Sequence, residues 1–158
     1  MNVVIKQVLV PTDFSEPSEV AVQYGKALAE NFHASLHLLH VLDENALIYP
    51  WTSPEGTTLA LGAARAELEQ QARDRLGRVL SDAEREKFSA RIVSLVGSPF
   101  LEIVNYAKAQ EIDLIVMGTH GRGPIAHMLM GSVAEKVVRK APCPVLTVRH
   151  PEHEFIMP

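Results

Sequence analysis

Apolar residues fall along the chain in two rhythms. Short runs with little polar interruption, Val8-Leu9-Val10, Leu114-Ile115-Val116-Met117 and Val145-Leu146-Thr147-Val148, alternate with longer stretches in which apolar positions recur every three or four residues. The first rhythm fits a strand covered on both faces, and the second a helix with one buried stripe. In chain order the pattern predicts a strand over 3–11, a helix carrying Val20, Ala21, Tyr24, Ala27 and Leu28 on one side, and a strand over 35–42. A long amphipathic helix over 58–81 follows, with Leu61, Leu68, Ala72, Leu76, Val79 and Leu80 on its apolar side. Then come a strand over 88–96, a helix opened by Ser98-Pro99, a strand over 113–117, a helix over 132–140 and a last strand over 144–149. Phe88, Ala90 and Ile92 alternate, as in a strand near a sheet edge. Asp13 or Ser15 can cap the first helix, with Pro17 in its first turn, and Ser132-Val133-Ala134-Glu135 has the form of a capping box.

Strands alternating with helices imply a parallel sheet. The expected fold class is therefore α/β: a five-stranded parallel sheet with helices on both faces, doubly wound and Rossmann-like, in a single domain. That domain spans residues 1–150, with a short polar tail over 151–158. Such sheets bind ligands beyond the carboxyl ends of their strands, where strand order reverses. If strands one and four are neighbours there, Asp13 and Gly118 face one crevice.

Composition narrows the function classes. A length of 158 residues suits one domain, and a net charge of −4 gives no broad basic field for nucleic acid. No apolar run approaches the roughly 20 residues of a membrane span, so no membrane insertion is expected. The start of the chain lacks the charged segment and cleavage site of a secretory leader, and cytoplasm is the expected compartment. The lone cysteine, Cys143, excludes an internal disulfide and reads as a small buried thiol. His37 and His40 interrupt an apolar strand and read as strand-end or half-exposed residues. Three apart on a strand they point to opposite faces, which argues against shared metal ligation. The loop over 43–58 carries Tyr49 and Trp51, which could cover a ligand, dock a partner or pack on the domain itself.

The chemistry concentrates between Gly118 and Ser132, where a glycine-rich segment leaves an apolar strand and feeds a helix start. Glycines let the backbone approach a phosphate, and the helix start supplies unpaired N–H donors. The segment thus reads as a grip for nucleotide phosphates. A P-loop is excluded, because Pro124 stands where its lysine must be. Gly121-x-Gly123-x-x-Ala126 matches the dinucleotide fingerprint but follows strand four rather than strand one, and no acidic residue waits for a ribose. Arg122 can pair with a phosphate or remain in solvent. Ser132 can cap its helix or donate to a phosphate, and Asp13 can cap a helix or accept from a ribose hydroxyl.

The spacing Gly118-x2-Gly121-x9-Gly131-Ser132 is bracketed by Val8-Leu9-Val10-Pro11-Thr12-Asp13-Phe14-Ser15 and by Ala141-Pro142-Cys143-Pro144-Val145-Leu146-Thr147-Val148-Arg149. Together these resemble the universal stress protein family, over residues 3–149. The resemblance implies an adenine-nucleotide-binding member with ATP as cofactor, accompanied where present by Mg²⁺ held through the phosphates. It implies that Gly118, Gly121, Gly131 and Ser132 surround ribose and phosphates, with Val133 adding a helix-start N–H. Pro11, Thr12 and Asp13 would lie at the ribose–adenine end, and Val41 would meet the adenine through its backbone. Met117 and Arg122 complete the expected nucleotide-binding set.

Three functions follow as expectations. The first is a regulatory stress-response protein whose nucleotide occupancy alters a dimer or partner surface, including a regulatory protein partner. The second is a slow ATP-hydrolysing enzyme, disfavoured because no placed lysine or water-activating base is identifiable. The third is an interaction module whose glycine loop is architectural. The apolar last strand, Val145–Val148, reads as a sheet edge that needs a cover, so a homodimer through this strand is expected.

Overall fold

The computed structural model describes residues 3–45, 58–119 and 130–149. The elements are β1 (Gln7–Pro11), α1 (Glu16–Phe32), β2 (Ser35–Asp43), α2 (Thr58–Gly77), α3 (Asp82–Lys87), β3 (Arg91–Gly97), α4 (Pro99–Ala109), β4 (Leu114–Gly118), α5 (Ser132–Lys140) and β5 (Val145–Val148). All strand pairs are parallel, in the order β3-β2-β1-β4-β5. The chain is thus a single α/β domain with helices on both faces. The order reverses at β1, which pairs with β2 on one side and β4 on the other, as expected for a switch point between strands one and four. No helix among the described residues is long and apolar enough to cross a membrane.

Strand parity divides the core. Val8, Val10, Leu36 and Leu38 point to one face, where they meet Ala21, Val22 and Ala29 of α1 and Leu76 of α2. Leu9, Leu39, Ile115 and Met117 point to the other, against Ile103 and Ala107 of α4 and Ala134 and Val137 of α5. Burying each of the Val, Leu, Ile and Met side chains among these contributes about 1.5–3 kcal/mol. This double cover is why β1 and β4 read as uninterrupted apolar runs. The buried face of α1 is Ser18, Ala21, Val22, Gly25 and Ala29, whereas Tyr24 and Ala27, expected on the apolar side, are exposed. The helix reaches the sheet closely at Gly25, where an added Cβ would collide with Val10 Cγ2.

Several boundaries depart from the sequence expectation. β1 starts at Gln7, and Val3 and Val4 are exposed. The N–H groups of Lys6 and Gln7 donate to Asp113 Oδ2, at 2.8 and 2.9 Å, while Lys6 O accepts from Ser35 N–H at 2.8 Å. The long helix, expected to reach 81, stops at Gly77, and a separate helix, α3, fills the gap before the stretch expected as strand three. Ser81 and Glu84 form a reciprocal capping box at its start. Phe88 is consequently a buried helix C-cap, and β3 begins only at Arg91, at the sheet edge. Lys26 of α1 reaches Glu84 at 2.7 Å; that ammonium and the Ser81 N–H hold the Glu84 carboxyl down at about 2. The tail over 151–158 lies outside the described residues, as do Tyr49 and Trp51.

His37 and His40 are buried, not half-exposed. His37 sits between Tyr106 of α4, whose hydroxyl lies 2.9 Å from Nδ1, and Gln7, whose Oε1 lies 2.7 Å from Nε2. The amide oxygen only accepts, so Nε2 carries the proton and Nδ1 accepts from the tyrosine. Burial, with help from Arg91 on the neighbouring strand, pushes the His37 pKa down to about 4.

An unfolded histidine titrates near 6.5, so the unfolded chain takes up this proton first as pH falls. The His37 contribution is complete above about pH 6.5 and is lost as pH falls to about 4, a loss of about 3 kcal/mol. Urea titrations across this range should show that slope in the parent protein and a flatter one in His37→Gln. Identical slopes would show that His37 carries no such linkage.

Candidate functional site

The site is built from two turns at the carboxyl edge of the sheet. The first leaves β1. Thr12 N–H donates to Leu39 O at 2.8 Å, carrying the β1–β2 pairing one residue past the strand. Ser18 Oγ donates to Ser15 O at 2.8 Å, so Thr12 Oγ1 donates to Ser18 Oγ at 3.0 Å and itself accepts from Phe14 N–H at 3.0 Å. Asp13 Oδ1 accepts from both the N–H and the hydroxyl of Ser15. Ser15 occupies the N-cap position of α1, yet its side chain turns back to Asp13 and caps nothing. Neither residue therefore acts as the side-chain cap that the sequence allowed.

Phe14 in this turn has φ 63°. The other described non-glycine residues with positive φ, His33, Ser89 and Glu111, lie just past helix ends, where that geometry terminates a helix. Phe14 instead lies ahead of one. A left-handed phenylalanine costs about 1–2 kcal/mol. Its ring rests on the His40 ring, with centroids 4.5 Å apart, and Arg75 of α2 covers its ring at 4.5 Å. Arg75 Nη2 also donates to Phe14 O at 3.3 Å. A cation–π contact at an exposed site contributes about 0.5–1 kcal/mol and a hydrogen bond about 1 kcal/mol, so these contacts match the strain in size. His40 Nδ1 lies 2.8 Å from Thr12 O; a carbonyl accepts only, so Nδ1 bears the proton.

The second turn leaves β4. Thr119 N–H donates to Val148 O at 2.9 Å, and Gly131 N–H donates to Thr119 O at 2.6 Å, closing the base of the glycine-rich segment. α5 then starts with Gly131 as N-cap, φ −69° and ψ 155°, and no side-chain cap. Ser132 is therefore the first helical residue, and the expected Ser132–Glu135 capping box does not form. Glu135 pairs instead with Arg139 at 2.9 Å. The exposed Ser132 hydroxyl lies beside the first-turn N–H groups of the helix.

The two turns border one cavity of about 680 Å³, within the usual size range for small-molecule sites. Pro11, Thr12 and Asp13 line it from β1, Val41 from β2, Met117 and Gly118 from β4, and Gly131, Ser132 and Val133 from α5. Nine of the eleven residues expected at a nucleotide site thus meet in one place; Gly121 and Arg122 lie outside the described residues. The cavity also takes in Phe14, His40, Asp43, Arg75 and Thr119, which the sequence reading passed over. His40 had a signal, as a polar break in an apolar strand. Arg75 had none, standing among Arg73, Asp74 and Arg78 on a charged helix face. Leu68, expected in the buried stripe of α2, is half-exposed and borders the cavity.

The sequence profile described as the universal stress protein family matches residues 5–149. The chain belongs to this family. It is 32% identical to universal stress protein MJ0577 of Methanocaldococcus jannaschii, over 94% of this chain and 98% of that protein. The solved structure of MJ0577 superposes with a TM-score of 0.80, at 31% identity, covering 95% of this chain and 99% of that one. Universal stress protein UspA of Lactobacillus plantarum superposes with a TM-score of 0.72 at 29% identity, covering 94% and 100%. A further universal stress protein, solved in complex with cAMP, gives a TM-score of 0.58 at 26% identity, covering 92% and 98%.

Within this universal stress protein fold, Gly118 has an architectural demand that precedes any ligand. A Cβ there would lie 2.9 Å from the carbonyl carbon of Pro17 and 3.0 Å from its oxygen, both backbone atoms that cannot swing aside. Gly118→Ala should destabilise the ligand-free protein by about 1–3 kcal/mol, as overpacking does elsewhere. A lower urea midpoint at unchanged m-value would show it; an unchanged midpoint would assign this glycine to ligand approach alone.

Proposed function

We propose that this universal stress protein binds an adenine nucleotide, ATP in the first instance, in the cavity between the β1 turn and the start of α5, and that occupancy regulates a dimer or partner surface. The observation that carries this reading is the uncapped helix start of Gly131-Ser132-Val133 in the same cavity as Asp13. Its backbone dihedrals are open to any residue, so the conformation itself does not require glycine. What glycine omits is a side chain that would occupy the first-turn N–H groups. Those groups suit phosphate oxygens, and Asp13 suits a ribose hydroxyl. A cAMP complex within the family supports the class of ligand.

A helix start gives an anion about 0.3–1 kcal/mol, up to about 2 when partly buried, whereas micromolar affinity needs about 8 kcal/mol. The apolar walls from Val41, Met117 and Val133 would therefore supply much of the rest, against the base and sugar. Bound Mg²⁺ would be carried by the phosphates with few protein ligands. The binding step needs no bond to break, and the regulatory reading asks only that nucleotide affinity differ between two states of the surface.

Denaturing the purified protein and analysing released small molecules by ion-pair chromatography and mass spectrometry tests the site directly. Adenine nucleotide near one per chain, or saturable binding of added Mg-ATP, is the expected result. Gly131→Asp would supply the missing cap and raise stability by a few tenths of a kcal/mol, while placing a carboxylate against the phosphates. It should lower nucleotide affinity at least tenfold with no loss of melting temperature. Retained affinity, or no binding by the parent protein, would leave the glycine segment as architecture.

We also propose a homodimer through β5, which among the described residues pairs only with β4 and leaves Leu146 substantially exposed. Light scattering at micromolar protein should return twice the chain mass, and Leu146→Lys should return the chain mass. A monomeric parent would remove the dimer from the proposal.

A further inference from the structure

Arg75 lies on α2, outside the two turns that carry every residue assigned above to ribose and phosphate, yet it touches the β1 turn at two points. Its guanidinium covers the Phe14 ring and donates to the Phe14 carbonyl. Phe14 holds its left-handed conformation between that contact and the His40 ring, and its N–H is received by Thr12 Oγ1. Asp13 precedes Phe14, and its carboxylate is aimed by Ser15, which follows Phe14. The direction of the Asp13 carboxylate therefore depends on a strained residue that α2 helps to hold.

We infer that Arg75 is a positioning residue for ribose recognition: acting through the Phe14 turn, it sets Asp13 to accept from the sugar hydroxyls of the bound nucleotide. This rests on the adenine-nucleotide reading of the cavity and adds to it the element that controls selectivity for the sugar. Arg75 is also the one lysine or arginine among the described residues lining the cavity. A direct attraction for phosphate is thus the competing role, and it predicts a different ligand dependence. A phosphate contact would weaken ATP and 2′,3′-dideoxy-ATP equally, and ATP more than AMP. A positioning role weakens only ligands that carry the hydroxyls.

The test compares the full chain with Arg75→Met and Arg75→Lys by calorimetric titration with Mg-ATP, Mg-2′,3′-dideoxy-ATP and AMP. The parent protein should favour ATP over the dideoxy analogue by at least tenfold, about 1.4 kcal/mol. In Arg75→Met, ATP affinity should fall about tenfold and dideoxy-ATP affinity by less than twofold, so the preference collapses. AMP should weaken as much as ATP. Arg75→Lys, which keeps a donor for the Phe14 carbonyl, should recover part of the preference. In an Asp13→Asn background the Arg75→Met change should add little, because the group it positions has been altered. Arg75 is exposed, and matching thermal melts will confirm that the variants are folded. Equal losses for ATP and dideoxy-ATP would overturn the inference while leaving the nucleotide site intact. A parent protein that binds no nucleotide would overturn both.

Discussion

The carboxyl edge of the sheet depends on one close approach, that of Pro17 to Gly118. The first turn of α1 lies directly against the end of β4, with no room for a side chain at position 118. Proline suits that first turn because its missing N–H strands no donor against the neighbouring strand. Further down the sheet the same two segments are joined by the β1–β4 ladder, Val8 to Leu114 and Leu9 to Ile115. The turn after β1 and the end of β4 are thereby fixed relative to each other by packing and by the strand ladder. The part of the crevice that the described residues line is a property of the fold.

Much of this was legible in the sequence, because the strongest signals are periodic. Apolar runs covered on both faces and amphipathic stripes between them specify a doubly wound sheet without reference to any partner. Several of the misplaced features are decided by contacts distant in sequence. The Ser-x-x-Glu pattern occurs at Ser81 and at Ser132, and only the first forms a capping box. At the second, the Gly131 N–H is drawn to Thr119 O, and the helix starts one residue early. The burial of His37 is similarly invisible locally, since Gln7 lies 30 residues away and Tyr106 lies 69 residues away. The glycine pattern pointed to the carboxyl edge of the sheet, where the cavity lies, but it could not reveal that Gly118 answers first to Pro17.

The β1 turn shows how strain and contacts balance at such an edge. Within the turn the Thr12 hydroxyl donates to Ser18, the Ser18 hydroxyl to the Ser15 carbonyl and the Ser15 hydroxyl to the Asp13 carboxylate, which holds its outline. That local network does not remove the cost of a left-handed Phe14. The compensation comes from His40 on β2 and Arg75 on α2, two elements that meet Phe14 only in the folded chain. A turn held this way can respond to what happens on α2, whereas one held only by its own hydroxyls could not.

The two helix starts place this economy in sharper relief. α3 has six residues, too few to be stable by propensity, and it carries a full capping box with Glu84 anchored by Lys26. α5 has nine residues and carries no side-chain cap, although serine at the N-cap would satisfy one of its free donors. A short helix in a folded chain gains stability from any cap, so glycine in place of a capping side chain forgoes a few tenths of a kcal/mol. Burial of Ala134 and Val137 is large enough to hold α5 without it. The donors left open by glycine are the ones that face the cavity, and an oxyanion seated there would restore the stabilisation that the missing side chain withholds. An anion bound there would link binding to helix stability at α5, the helix that leads into β5.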